Sequence, residues 1–197
     1  FIDKVQHDIS SCTQFTTYVR QHDACFRGGC HHKEYWEFIV KAHPYFAKKY
    51  HHFYTDSGSR WVSREVTQWM TAAGIANWFM GDGYTCLVGK SKGIIKSRRI
   101  QFCTDRYDMK SIERLQKMLE NKFGIKTSVI KRNNRYRINI LIESFDSFLT
   151  LVYPHLVPDM YYKIYLAYEK QPIWMSNENW EIQQSIRSAI TLTDNAA

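Results

Sequence analysis

Residues 75–83 read Ile-Ala-Asn-Trp-Phe-Met-Gly-Asp-Gly, and this stretch decides the fold of the chain. Apolar side chains occur on nearly every face of a helix built from residues 75–80, which predicts that the helix is buried. Gly81 and Gly83 allow a backbone or a ligand to approach closely and allow the helix to stop. Asp82 is therefore predicted to lie at the end of the helix, where a hard cation or a phosphate-bound metal can reach it. For these residues alone, a core helix that ends in glycine beside a solvated Asp is the alternative.

The positive charge of the chain is concentrated in one segment. The 197 residues carry 27 Lys and Arg against 19 Asp and Glu, a net charge of +8. Residues 84–140 alone carry fifteen Lys and Arg against four Asp and Glu, a net charge of +11. Such a segment is typical of a protein that binds a polyanion, and a solvated basic surface is the alternative. The composition is 44% hydrophobic without a long apolar run, so we expect a globular chain with no membrane partner.

The pattern after Gly83 predicts two pairs of strands, each followed by a helix. The predicted elements are a strand over 84–90, a basic loop over Lys90–Ser97, a strand over 99–104, a helix over 109–122 capped by Asp108, strands over 125–132 and 135–142 that meet at Asn133-Asn134, and a helix from Ser144 that ends before Pro154. With the helix over residues 75–80, the predicted order is αββαββα.

Alternation along these strands predicts one apolar face and one polar face of the sheet. The core face carries Ile100, Phe102, Tyr136, Ile138, Ile140 and Ile142. Arg and Lys side chains contact phosphates, whereas Arg, Gln and Asn also read base edges. The residues predicted to contact nucleic acid are Lys90, Lys92, Lys96, Arg98, Arg99, Gln101, Lys131, Arg135, Arg137 and Asn139. Tyr84, Tyr107, Tyr161 and Tyr162 are candidates for stacking on unpaired bases, with core packing as the alternative.

The stretch over residues 75–83 resembles the second motif of LAGLIDADG homing endonucleases. The likeness covers about residues 60–166, because further segments follow the family pattern in order. These segments are Arg60-Trp61-Val62-Ser63, Met70-Thr71, residues 99–104, Phe123-Gly124-Ile125 and residues 157–164. The resemblance implies an α+β fold in which each αββαββα repeat forms a saddle-shaped antiparallel sheet over nucleic acid. It also implies that two motif helices pack together and that their terminal acidic residues hold the metals that cleave DNA.

The resemblance assigns residues of the second repeat to an active site. Asp82 matches the metal-binding acid, and Lys163 matches the basic residue near it. Gly81 replaces the more usual first Asp of the motif, and Arg60 stands where the first half has its own basic residue. If the chain is active, Asp82 is expected to bind Mg²⁺ together with a second acid. Otherwise no cofactor is expected.

The same resemblance predicts three parts of the chain. Residues 1–70 are a degenerate first repeat with a truncated sheet, residues 71–170 are the second repeat, and residues 171–197 are a helical extension. In the first repeat, Lys33–Val40 resembles a helix and residues 43–54 resemble the closing helix, so the third and fourth strands between them are predicted to be missing.

The start of the first repeat departs furthest from the family pattern. Gln14–Arg20 and Ala24–Gly28 are predicted to preserve its first hairpin. Its motif is expected before that hairpin, yet residues 1–9 lack the small residues and the Gly-Asp-Gly ending. Asp8 lies near the metal position, and a solvated surface Asp is the alternative.

Two functions follow from this pattern. The favoured one is a nucleic-acid-binding protein that derives from a homing endonuclease and is impaired in cleavage. It is expected to bind structured RNA in an organellar ribonucleoprotein, either for intron splicing or in association with a ribosome. Phosphate contacts on a rigid sheet need no paired carboxylates. The alternative is an active, Mg²⁺-dependent, site-specific DNA endonuclease, for which a homodimer would supply two copies of Asp82. By resemblance alone, the expected location is a mitochondrion or a chloroplast.

Two further patterns lie outside the family resemblance. Cys25, Cys30, His31 and His32 are a candidate zinc site of non-standard spacing, although five cysteines without a framework favour free thiols in a reducing compartment. Residues 177–190 predict a helix capped by Asn177, and its apolar face carries Ile182, Ile186, Ala189 and Ile190. That face is expected to dock on its own domain or on a partner protein.

Overall fold

The structure is a computed structural model of the chain, and it describes residues 17–25, 32–41, 44–91, 94–133 and 135–194. Its contacts divide the chain into two compact units, Phe1–Tyr50 and His51–Ala197. This division lies earlier than the predicted end of the first repeat at residue 70, and the repeat assignment itself stays a prediction. Across the described helices, none combines the length and the apolar character needed to cross a membrane.

The first unit contains a hairpin and a short helix. Strands β1 (Thr17–Cys25) and β2 (His32–Val40) pair antiparallel along their whole length, from Thr17 opposite Val40 to Cys25 opposite His32. Helix α1 follows at Pro44–Tyr50, inside the range predicted for the closing helix.

Two predictions for this unit are wrong. The helix predicted over Lys33–Val40 is a strand, because a stretch rich in aromatic and β-branched residues pairs with a neighbouring strand instead of coiling. The second hairpin strand predicted over Ala24–Gly28 is also wrong where the structure describes it, since Ala24 and Cys25 end β1, which pairs with β2; residues 26–28 lie outside the described residues. Asp8 lies outside the described residues.

The second unit has the predicted αββαββα order, with one further helix before it and one after it. Its elements are α2 (Arg64–Trp69), α3 (Ala72–Asp82), β3 (Gly83–Ser91), β4 (Ile94–Phe102), α4 (Met109–Phe123), β5 (Thr127–Arg132), β6 (Arg135–Ile140), α5 (Phe145–Val152) and α6 (Asn177–Asp194), with 3₁₀ turns at Ile142–Ser144, Tyr153–His155 and Pro158–Ile164. The four strands form one antiparallel sheet in the order β3-β4-β6-β5.

The core lies between one face of this sheet and helices α3, α4 and α5. Helix α3 packs against α5, and α4 packs against β5 and β6. The fully buried rings of Phe79, Phe102 and Phe148 meet edge to face, with centroids 5.2 to 6.0 Å apart. Ile100 and Ile138 are also fully buried, which confirms the predicted core face of the sheet.

The predicted Asp108 cap is confirmed, and the structure adds a second cap at Thr71. Asp108 caps α4 by accepting a hydrogen bond from the Ser111 N–H at 2.9 Å, and Gly124 ends it with a φ of +69°. Thr71 caps α3, since its hydroxyl accepts from the Gly74 N–H at 3.1 Å. The motif helix therefore begins at a defined residue and runs directly into β3.

Three predictions for the second unit are wrong. Lys90–Ser97 is not a loop, because β3 extends to Ser91 and β4 begins at Ile94, with Lys90 paired to Ile95. Ile142 leaves the core face and is 54% exposed, since β6 ends at Ile140 and a 3₁₀ turn begins there. Asn177 does not cap α6; it lies in the first turn of that helix.

Helix α6 buries a partly polar face instead of the predicted apolar one. The Ser176 hydroxyl accepts from the Asn179 N–H at 3.2 Å and so occupies the cap position. Among the residues of α6 whose side chains the structure describes, Asn179, Gln183 and Ile186 are buried, whereas Ala189 is exposed. The Gln183 side chain accepts from the Leu166 N–H at 2.8 Å and donates to the Ile164 carbonyl at 3.0 Å. The helix thus docks on its own domain through hydrogen bonds from the Gln183 side chain to backbone groups, which an apolar periodicity does not reveal.

Candidate nucleic-acid interface

Asp82 is an exposed carboxylate at the end of α3. Its backbone carbonyl accepts a hydrogen bond from the Cys103 N–H at 2.9 Å, which ties the helix end to the residue that follows β4. Gly83 packs so closely that an added Cβ would lie 2.0 Å from the Phe79 ring. The helix end, the sheet and Asp82 are therefore held in one fixed arrangement.

Lys163 lies beside Asp82, as the resemblance implies. Its ammonium donates to the Met80 carbonyl at 2.5 Å and to the Gly83 carbonyl at 3.1 Å, so it binds the negative end of α3. Burial lowers the pKa of Lys163 from its ordinary value, and the nearby Asp82 carboxylate opposes that change. The Lys163 carbonyl accepts a hydrogen bond from the Thr85 hydroxyl, which fixes the lysine's backbone against β3.

Cys103 and Tyr107 complete the surroundings of Asp82. Burial raises the pKa of the Cys103 thiol, and the charges of Asp105 and Asp82 act in the same direction against Arg137 and Lys163. Burial also raises the pKa of Tyr107, while the charge of Arg60 lowers it. Arg60 and Asp82 are thus both close enough to Tyr107 for their charges to affect its pKa.

Asp82 offers one carboxylate to a magnesium ion at the end of α3. Mg²⁺ needs octahedral oxygen ligands, usually one or two carboxylates with waters and phosphates. Within the part of the chain that the structure describes, no group of three or more His, Cys, Asp or Glu side chains could hold a metal ion. Asp82 contributes a single carboxylate, and the Lys163 ammonium beside it competes with a cation. A second acid from elsewhere would be needed.

The face of the sheet opposite the core carries a row of polar side chains, which we call the polar row: Tyr84, Gln101, Asn139 and Ser128. These residues lie opposite one another on four adjacent strands. The Tyr84 hydroxyl donates to Gln101 Oε1 at 2.5 Å, Gln101 Nε2 donates to Asn139 Oδ1 at 3.5 Å, and Asn139 Nδ2 donates to Ser128 Oγ at 3.3 Å. The predicted contact residues Gln101 and Asn139 are thus brought together and already oriented.

Arg137 lies at the end of this row and is bound to Asp105. Its Nε donates to Asp105 Oδ1 at 3.0 Å and its Nη2 donates to Oδ2 at 2.8 Å, while Nη1 donates to the Tyr84 hydroxyl at 2.8 Å. The side chains of Arg137 and Asp105 are 21% and 18% exposed. The bond to Asp105, followed by the bond to Tyr84, raises the pKa of Arg137. Arg137 therefore keeps its charge but has a carboxylate partner.

Neighbouring arginines of β4 have different surroundings. The Arg98 guanidinium donates to the Leu166 carbonyl at 2.6 Å and to the Ala167 carbonyl at 2.9 Å, and it stacks 3.7 Å over the Tyr168 ring. Arg99 is exposed and lies on the same face as Gln101. Arg98 therefore stabilises the fold, whereas Arg99 has the placement that a phosphate contact requires.

The other predicted contacts divide in a similar way. Arg135 is exposed and lines a cavity with Arg137, Asp105 and Asn133. Lys131 lies opposite Tyr136, on the core side of the sheet, with its Nζ 5.9 Å from the ring centroid. Lys90 and Lys96 lie within β3 and β4, and Lys92 lies outside the described residues, as do Cys30 and His31 of the candidate zinc site.

Sequence reasoning missed Asp105, Arg106 and the linking role of Tyr84. Arg106 and Arg60 line a cavity of about 490 Å³ together with Tyr54, Gly58 and Ser59. Among the described residues, neither arginine forms an ion pair with a carboxylate. The segment from Thr104 to Asp108 comes shortly after β4, one of the strands with a predicted polar face. That position was the signal in the sequence for further contact residues.

Comparisons with known proteins find similar sequences and a similar fold. The profile of the LAGLIDADG DNA endonuclease family matches residues 3–148. Cytochrome b mRNA maturase bI2 of Saccharomyces cerevisiae is 27% identical over 106 residues, which are 52% of this chain and 23% of the maturase. The probable intron-encoded DNA endonuclease 3 of Mycosarcoma maydis is 28% identical over 138 residues, which are 67% of this chain and 93% of that protein. The chain thus spans about a quarter of the yeast maturase.

One solved structure has the same fold. The homing endonuclease I-WcaI bound to its DNA recognition sequence superimposes with a TM-score of 0.63 at 18% identity, covering 85% of this chain and 73% of that one. At this identity the likeness shows the fold alone. It supports an α+β architecture in which helices cover one face of an antiparallel sheet.

Proposed function

This chain belongs to the LAGLIDADG DNA endonuclease family, and from that premise we propose that it binds structured RNA through the polar face of its four-stranded sheet and does not cleave DNA by itself. The observation that carries the proposal is the contrast between the two halves of the site. The polar face presents Arg99, Arg135 and an ordered row of hydrogen-bonding groups. The helix end presents one carboxylate, Asp82, with a lysine beside it.

A relative named as an mRNA maturase supports RNA as the ligand, and it is 27% identical over half of this chain. Other relatives are named as intron-encoded endonucleases, and these support the second candidate below. A face of arginines and amides can contact phosphates and unpaired bases of a folded RNA without any metal. We further propose an organelle as the location and a ribonucleoprotein as the setting, as the resemblance implies.

A DNA endonuclease is the second candidate, favoured by the placement of Asp82. The carboxylate is exposed at the end of the motif helix, and Lys163 lies close enough to influence it. A second acid from another copy or another chain would complete a metal site there. Mg²⁺ would then supply charge stabilisation for a phosphodiester, with Asp82 holding it and Lys163 holding the helix end.

The test compares the purified chain on three probes: a folded intron transcript, poly-U RNA and a pool of DNA duplexes, each with and without Mg²⁺. We expect tighter binding to the transcript than to either control and no cleavage of the duplexes. Asp82→Asn is expected to leave RNA binding unchanged. Mg²⁺-dependent cleavage that the Asp82→Asn variant loses would refute the proposal and establish the second candidate.

A further inference from the structure

The pairing of Arg137 with Asp105 has a consequence for recognition, and it rests on the proposed function. A guanidinium carries five N–H donors. Asp105 uses one on Nε and one on Nη2, and the Tyr84 hydroxyl uses one on Nη1. One N–H therefore remains on each of Nη1 and Nη2. Two donors on neighbouring nitrogens are what an arginine needs for a two-bond contact with the O6 and N7 acceptors of guanine.

The hydrogen bonds of the polar row run in one direction. Arg137 donates to Tyr84, Tyr84 donates to Gln101, Gln101 donates to Asn139, and Asn139 donates to Ser128. Each bond fixes the orientation of the next group, so the carbonyl oxygen of Gln101 faces Tyr84 and its amide nitrogen faces Asn139. Gln101 is only 6% exposed, which confirms that it is held rather than mobile in solvent. The Arg137–Asp105 pair is the fixed start of this chain of bonds.

Arg137, Asp105 and the polar row form a cluster with little net charge, unlike the exposed Arg99 and Arg135. A bidentate carboxylate neutralises Arg137 locally, and the members of the polar row are uncharged. Such a cluster attracts phosphate weakly but presents several oriented donors and acceptors, which suits base edges. Arg99 and Arg135 are exposed on the same face and supply the net positive charge.

We propose that Asp105 is a positioning residue that holds Arg137 for direct reading of a guanine edge in the bound nucleic acid, with Tyr84 transmitting that orientation to Gln101 and Asn139. Asp105 does not touch the ligand. It removes the side-chain freedom of Arg137 before binding, so that less entropy is lost on contact. The ligand is a nucleic acid with an accessible guanine, and the source favoured here is an unpaired guanine of folded RNA.

The experiment selects bound species from a pool of RNA hairpins with randomised loops and, in a second arm, from a pool of randomised DNA duplexes. Wild type, Asp105→Asn, Arg137→Ala, Tyr84→Phe and Arg99→Ala are compared by sequencing the bound fraction and by the salt dependence of binding. Wild type is expected to enrich guanine at one or more positions of the RNA loop. Arg137→Ala is expected to reduce that preference about tenfold, the size of one lost bidentate base contact.

The other variants separate positioning from charge. Asp105→Asn is expected to lose guanine preference while binding all sequences more tightly, with a salt slope steeper by about 1, because it frees one arginine for phosphate. Arg99→Ala is expected to do the reverse, with a shallower slope and an unchanged preference. Tyr84→Phe keeps every charge and is expected to lower the preference without changing the slope. Thermal denaturation checks that each variant is folded. If Asp105→Asn is not folded, the base preference of Tyr84→Phe tests the positioning role in its place.

The results that would contradict the positioning role of Asp105 differ from those that would refute the proposed function. Failure of the wild type to bind either pool would refute the proposed function. Guanine preference in the DNA arm alone would replace RNA by DNA as the source. Binding of RNA with the same base preference in wild type, Asp105→Asn and Tyr84→Phe would overturn the positioning role of Asp105. A salt slope that is unchanged or shallower in Asp105→Asn than in wild type would overturn the neutral pair.

Discussion

Two glycines of the motif helix provide a matched pair of substitutions. Gly81 and Gly83 flank Asp82, yet their surroundings differ. A Cβ added at Gly83 would lie 2.0 Å from Phe79 Cδ2 and 2.6 Å from two other atoms of the same ring. A Cβ added at Gly81 would meet no atom within 4 Å.

The two Gly→Ala substitutions should therefore change stability in opposite directions. Gly83 has a φ of −88°, which alanine adopts freely, so the cost of Gly83→Ala comes from the steric clash and not from backbone strain. Phe79 is fully buried, and overpacking of this kind costs about 1–3 kcal/mol. Gly81 lies within α3, where alanine is favoured over glycine by roughly 0.5–1 kcal/mol. The two variants are thus expected to differ by about 1.5–4 kcal/mol.

Urea denaturation followed by tryptophan fluorescence measures this difference as a change in the free energy of unfolding. Each variant adds one methyl group to the same helix end, so each controls for the other. The expected result is a lower midpoint for Gly83→Ala and a higher one for Gly81→Ala, with similar m-values. Equal stability of Gly83→Ala and wild type would refute the close packing of Gly83 on Phe79. Destabilisation by Gly81→Ala would show that another element covers this side of the helix.

Three other predictions follow from the site. Lys163→Met should lower the free energy of unfolding by about 1–3 kcal/mol, because two carbonyls at the end of α3 lose a charged donor; urea denaturation measures it, and an effect no larger than that of exposed Lys170→Met would contradict it. Arg106→Ala should weaken the binding of all RNA sequences and reduce the slope of log K against log salt by about 1, since Arg106 lines the cavity beside Arg60. An unchanged slope in a binding titration would exclude a phosphate contact by Arg106. Cys103 should be alkylated by iodoacetamide more slowly in the folded chain than in urea at a pH near the ordinary pKa of a cysteine thiol, because burial raises the pKa of this thiol and lowers its thiolate fraction. Equal rates by mass spectrometry would contradict the burial.

The sequence predicts those parts of the fold that depend on local periodicity. Alternation of Ile100 and Phe102 with Arg99 and Gln101 predicts which face of β4 is buried, because neighbouring residues of a strand point to opposite sides. The Asp108 cap is equally local, since its partner is three residues away. These features need no knowledge of which strands pair.

Charge composition misled the prediction where pairing decides the structure. The Lys90–Ser97 segment is basic and was expected to be a loop, yet β3 and β4 continue their ladder into it. Pairing between strands uses backbone N–H and C=O groups, so a basic composition does not prevent it. Lys33–Val40 shows a different error. The segment resembles a helix of the family, yet it is a strand because it pairs with β1.

The site was predicted residue by residue but not as a set of bonds. Asp82 and Lys163 are close in the structure although distant in sequence, and the resemblance anticipated this. The bond between Arg137 and Asp105 was not anticipated, because it depends on the register between β6 and the segment after β4. The same holds for Arg98, whose partners are backbone carbonyls of Leu166 and Ala167.

The central claim is that the polar face of the sheet binds nucleic acid, and the salt dependence of RNA binding tests it most directly. Arg99→Ala combined with Arg135→Ala removes two exposed charges from that face. Lys110→Ala combined with Lys117→Ala removes two exposed charges from helix α4, which packs on the other side of the sheet. If the polar face is the interface, the first double variant reduces the slope of log K against log salt by about 1.4–1.8 and the second leaves it unchanged. An equal reduction in both, or a larger one in the helix variant, would contradict the claim.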